Sequence, residues 1–210
     1  MRVLMYSLLS IVLAWPAMAG EPSERVFSRT ALDGVKDNHQ VIYTHVRTGE
    51  VRPISNGEIR VKVEPHETGR KAVVTMGEEG KLQPVSSWPA SSGNPVLPIF
   101  LESTLRTMAQ ATGGSEFYIR NRIKEALGTG GTMNEISLDM DGKAIPATEI
   151  TFAPFADDKN RARMGGYAEL KLVFVVSEAL PGDIVRFAAV TGDRGLYLEE
   201  IAFARLAEGE

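Results

Sequence analysis

"ATGGSEFYIRNRIKEALGTGGT", residues 111–132, decides how this chain is divided. Gly113 and Gly114 interrupt one helical pattern, and Ser115 opens another. Upstream, Leu97, Leu101, Leu105, Met108 and Thr112 recur at steps of four, four, three and four, the period of a single helix face. Asn94 and Pro95 stand where a helix takes an N-cap and a first-turn proline. Gly113 suits the left-handed residue that ends such a helix. Downstream, Ile119, Ile123, Ala126 and Leu127 form a second stripe, Gly128 is the expected stop, and "GTGGT" is a flexible connector. The spacing predicts a two-helix hairpin over about 94–128.

On both sides of this stretch the period falls from 3.6 to two. Residues 39–48, "HQVIYTHVRT", alternate β-branched and aromatic residues as a strand does. In "ISNGEIRVKVE" the Asn56-Gly57 pair reads as a hairpin turn, after which Ile59, Val61 and Val63 alternate with charged residues. "RKAVVTM" and the turn "GEEGK" extend an antiparallel meander over 39–90. Beyond the helices, Ile136, Leu138 and Met140 alternate with Ser137, Asp139 and Asp141, and Asp141-Gly142 marks a tight turn. "TEITFAPF", "YAELKLVFVVSE", "DIVRFAAVT" and "YLEEIAFARL" supply the remaining strands of a segment over 133–206. Leu172 to Val176 is wholly apolar, so that strand is expected to be buried on both faces. The fold class expected is α+β: antiparallel sheets in a β-sandwich or barrel-like arrangement, with the helical hairpin inserted between the two β segments. One domain over 39–210 is favoured over two small ones, because each β part alone is small for an independent core.

The chain starts "MRVLMYSLLSIVLAWPAMAG". Arg2, a short apolar run, Pro16 and the small pair Ala17 and Ala19 make the pattern of a secretory signal cut after Ala19. The remainder is expected to be soluble and periplasmic or secreted, since no second long apolar run follows. Residues 20–38 are polar and read as a tail or an irregular lead-in. The chain holds no cysteine, which removes disulfides, thiolate metal sites and cysteine nucleophiles, and leaves no cysteine after the cut to carry a lipid.

With 23 basic and 27 acidic residues the net charge is −4, and residues 133–210 hold eight basic against fourteen acidic. A nucleic-acid partner needs a basic footprint to neutralise phosphates, and none is offered. Clustered cations do occur in two places. Arg120 and Arg122 follow Ser115 at the second helix start, and Arg161 and Arg163 lie in the charged stretch "FADDKNRARMGG", residues 155–166. Free N–H groups behind Gly113 and Gly114 could hold an anion with them. Glu116, however, already complements the helix dipole and would repel one. The structural turn is therefore the favoured reading, with Ser115, Arg120, Arg122, Arg161 and Arg163 as candidate binding residues.

His39, His45 and His66 have no metal-ligand spacing. "LDMDGK" places Lys143 where a calcium loop needs a third oxygen, so it reads as a turn. No nucleophile elbow, phosphate loop or dinucleotide fingerprint occurs. No catalytic residue, metal or cofactor is assigned. These features favour an exported binding or accessory protein without catalytic activity, its partner an envelope protein or a small anionic ligand. The alternative is a periplasmic hydrolase-type enzyme with a site assembled from remote residues and an anionic substrate.

Overall fold

A computed structural model describes residues 22–192 and 195–209; the signal-peptide segment, residues 1–19, lies outside them. The meander consists of β1 (His39–Gly49), β2 (Ile54–His66), β3 (Gly69–Glu78) and β4 (Lys81–Pro89). Two helices follow, α2 (Val96–Thr112) and α3 (Glu116–Thr129), after the short α1 (Pro22–Val26) of the lead-in. β5 (Thr132–Met140) and β6 (Lys143–Phe152) come next, then α4 (Arg161–Met164), β7 (Lys171–Val176), β8 (Ile184–Val190) and β9 (Tyr197–Glu208).

Among the described residues, all nine strands form one antiparallel sheet in the order β4-β3-β2-β1-β9-β8-β7-β6-β5. The expected sandwich or barrel is thus corrected to a single open sheet. The reason is the long pairing of the first strand with the last, from His39 opposite Glu208 to Gly49 opposite Tyr197. That pairing welds the two β segments edge to edge, so they need not stack face to face. The helices cover one face, here called inner, and supply the second layer that a half-apolar sheet requires.

The register explains the core. Ile150, Phe174, Phe187, Ile201 and His45 are successive cross-strand partners in one row of the inner face. Phe100 of α2 sits edge-on to Phe174, with centroids 5.9 Å apart, and Phe152 and Phe187 complete the cluster at 5.8 and 5.0 Å from Phe174. Leu172, Phe174 and Val176 are buried together, and of the alternate residues Val175 is buried while Val173 is half-buried.

Three local expectations are revised. Asn56-Gly57 is not a turn, because β2 runs through it. Gly57 is needed there for space, since a Cβ would stand 2.6 Å from the His45 carbonyl oxygen. α3 continues past Gly128 to Thr129, with Gly130 closing it. The lead-in is not wholly polar surface, for Val26, Leu32 and Val35 are buried in the core. Gly113 does end α2 at φ 64°, the left-handed value that favours glycine. No helix among the described residues is long and apolar enough to cross a membrane.

Candidate functional site

Asn94 joins three elements beside a pocket. Its Oδ1 accepts the N–H of Val96, the first residue of α2, at 3.1 Å. Its Nδ2 donates to the Tyr43 hydroxyl at 2.7 Å and to the Gly182 carbonyl at 2.9 Å. One side chain thereby ties the start of α2 to β1 and to the β7–β8 turn. Gly182 has no room for a side chain, since a Cβ would lie 2.5 Å from the Tyr43 hydroxyl. Burial raises the Tyr43 hydroxyl well above its ordinary range, so it stays protonated.

Beside this clamp lies a pocket of about 230 Å³ between the lead-in, α2 and the sheet. Val26, Trp88, Leu97, Leu101, Val176 and Phe187 supply its apolar wall. Leu97 and Leu101 reach it from one face of α2, the stripe that the sequence spacing marked. Arg25, Ser28, Asn94 and Asp183 bring polar groups to the same pocket. An adjoining recess of about 340 Å³ shares Arg25, Ser28, Val176 and Asp183 and is lined by four carboxylates, Glu24, Glu135, Glu178 and Asp183. Arg25 is the one cation among the described residues that line it, and it already donates to Glu178 at 3.1 Å. Burial pushes the Asp183 carboxyl up to about 6; the Ser28 hydrogen bond opposes this, and the charges of Glu178 and Asp33 add to it.

A second polar cluster is enclosed between β1, β9 and α2. Glu199, fully buried, accepts from His45 Nε2 at 2.7 Å, Ser103 Oγ at 2.7 Å and the Tyr197 hydroxyl at 2.7 Å. Arg47 adds a two-pronged contact, Nε at 3.1 Å and Nη2 at 3.0 Å. Burial alone would raise the Glu199 carboxyl, but hydrogen bonds from His45 and Arg47 and the guanidinium charge outweigh it and hold it at about 2. So acidic a group is a poor general base at neutral pH. The His45 nitrogen that faces the cluster is spent on Glu199 rather than on Ser103. This arrangement fastens α2 to the sheet.

The candidate residues read from sequence fall into separate places. Ser115 occupies the α3 N-cap without a side-chain cap bond. Arg120 pairs with Glu102 of α2 at 3.0 Å. Arg122 pairs with Glu125 and lies over the Tyr118 ring at 5.8 Å, while its Nε is buried with no hydrogen-bond partner. Arg161 donates to the carbonyls of Phe155 and Ala168 and pairs with Glu169, so it braces its own loop. Arg163 is exposed on α4. Tyr118 does bring α3 to the 155–166 loop, since its hydroxyl meets both Asp158 oxygens, at 2.7 and 2.8 Å. Among the described residues no group of three or more His, Asp or Glu could hold a metal ion.

Sequence reading missed the pocket because its walls come from residues 25–31, 88–101 and 176–187, which are far apart in the chain. The one local signal was the leucine spacing of α2. It missed the Glu199 cluster for the same reason, since His45 and Glu199 are 154 positions apart.

No family model and no curated protein matches the chain. Among solved structures, the Mycobacterium tuberculosis lipoprotein LppX is similar over 91% of this chain and 98% of its own, with 13% sequence identity and a TM-score of 0.39. That likeness is too distant to bear on what this chain binds.

Proposed function

We propose that the protein is an exported, non-catalytic binding or accessory protein of a single domain. Its guest places an apolar moiety in the pocket behind α2 and a polar or cationic group toward the acidic recess. The observation that supports this most is the pairing of the two cavities through Arg25, Ser28, Val176 and Asp183. An apolar wall with a few converging polar groups is the usual form of a small-ligand site. A cavity of about 230 Å³ has room for an aromatic ring or a short hydrocarbon chain; an apolar cavity of roughly 150 Å³ already takes benzene. The carboxylates repel an anionic head group, so the anionic ligand considered from sequence is not the one this site favours.

The test is a thermal-shift series with matched straight-chain alkylamines, alcohols and carboxylates. Stabilisation that grows with chain length and follows the order amine, alcohol, carboxylate supports the reading. A carboxylate that stabilises most would reverse the charge assignment. No length dependence in any series would remove the apolar pocket as the site.

A further inference from the structure

The sheet ends on two unlike edges. β4 carries Pro84 and Pro89, and its pairing with β3 is broken by a bulge between Val74 and Thr75. Prolines and bulges are devices that block strand addition. β5 has none of them. It pairs with β6 without interruption from Thr132 opposite Thr151 to Met140 opposite Lys143, and it contains no proline.

One hydrogen bond fixes which β5 groups face outward. Ser177, just past β7, donates its hydroxyl to the Pro146 carbonyl at 2.6 Å. The Pro146 carbonyl, its one backbone hydrogen-bonding group, therefore points toward β7 and away from β5. Its partner Ser137 is then a non-hydrogen-bonded position of the β5–β6 ladder, with N–H and C=O turned to the free edge. By the period of two, Met133, Glu135 and Asp139 present theirs as well.

The side chains say what could pair there. Glu135 and Asp139 share the face of Ser137, and Glu135 also lines the recess with Glu24, Glu178 and Asp183. Ile136, Leu138 and Met140 line the other face and are half-buried. A second copy pairing two-fold about Ser137 would set Glu135 opposite Asp139, a like-charge contact that disfavours it. We propose that β5 is a docking edge for an extended segment of another protein, with basic side chains at alternate positions toward Glu135 and Asp139 and apolar ones over Ile136, Leu138 and Met140. The inference stands independently of what fills the apolar pocket.

The experiment uses fluorescence anisotropy with a labelled nine-residue peptide of alternating valine and lysine, matched in length to β5, and a valine–glutamate counterpart. The basic peptide is expected to bind and the acidic one not to. Ser137→Pro removes only an outward N–H, so it should weaken binding by about tenfold or more without changing the melting temperature. Glu135→Lys should weaken it comparably. Should Ser137→Pro itself unfold, Glu135→Lys and peptide-dependent hydrogen-exchange protection of residues 133–139 carry the test. Equal binding of both peptides, undiminished binding by a folded Ser137→Pro protein, or no binding at all would overturn the proposal. So would light scattering that shows a dimer dissolved by Ser137→Pro, which would make the occupant a second copy.

Discussion

Arg47 and Glu199 are direct cross-strand partners on β1 and β9, and the guanidinium grips both carboxylate oxygens. They extend a row of the inner face that is otherwise apolar, through Phe152, Leu172 and Ala189. The buried charge is compensated by five contacts, and the helix that covers the sheet contributes one of them through Ser103. A buried pair of this kind is costly to break from one side, because the other charge is left without a partner.

Glu199→Gln is expected to destabilise the protein by about 3 kcal/mol or more at pH 7, the usual cost of breaking a buried pair. The pH dependence follows from the carboxyl held at about 2 in the fold. An acid whose folded value lies below its unfolded one stabilises the fold above the unfolded value, roughly 4.3 for glutamate. That contribution, roughly 3 kcal/mol, is lost as the pH falls through about 2. Urea melts of wild type and Glu199→Gln between pH 7 and pH 2 should therefore converge at the acid end. A constant difference across that range would show that the fold does not hold this carboxyl below its unfolded value.

Asp183 works in the opposite sense. Its carboxyl is raised to about 6, so its ionisation opposes folding. Stability tied to this group is complete below about 4, the unfolded value, and declines as the pH rises through 6. Asp183→Asn should leave the melting temperature unchanged at pH 4 and raise it at pH 8. Asparagine tolerates the positive φ of 59° at this site, so strain does not mask the effect. A lower melting temperature at pH 8 would contradict it.

Phe174→Ala should cost about 3 to 5 kcal/mol, as emptying an aromatic core site does. Phe174 touches Phe100, Phe152 and Phe187, so the cavity would open between α2 and three strands. A denaturant melt that shows a loss below about 1 kcal/mol would place it outside the core.

Gly113→Val tests the link between α2 and α3. A Cβ at Gly113 meets nothing within 4 Å, so any loss comes from the backbone conformation alone. The expected loss is about 1 to 2 kcal/mol, the left-handed penalty for a residue with a side chain. Gly57→Ala isolates the complementary case. The backbone there accepts alanine but the His45 carbonyl does not, so its loss should exceed that of Gly113→Val.

What the sequence discloses here tracks how local the cause is. Alternation in β2, the leucine stripe of α2 and Gly113 each act within a few residues, and each lies where it was read. The joining of the two β segments into one sheet depends on β1 meeting β9 across most of the chain, a relation that no local period encodes. The lead-in misled for a related reason. Val26, Leu32 and Val35 have no helical or strand period, yet Arg70 donates to the Val35 and Leu32 carbonyls and holds their segment against β3. The Asn56-Gly57 pair carried a strong turn signal, but the glycine serves to let β2 pass the His45 carbonyl. The pocket inherits this non-locality, since each of its walls comes from a different part of the chain.

Ligand binding in the apolar pocket is open to direct measurement. Titration of a neutral naphthylamine fluorophore reads this, with Leu101→Arg as the companion variant. Leu101 is half-buried on α2 and lines the pocket, so an arginine there can place its charge in the wall while the helix stays folded. Saturable, one-to-one enhancement is expected in the wild type, and affinity about tenfold weaker or worse in Leu101→Arg, with the melting temperature unchanged. No saturable enhancement, or equal affinity in the two proteins, would contradict it.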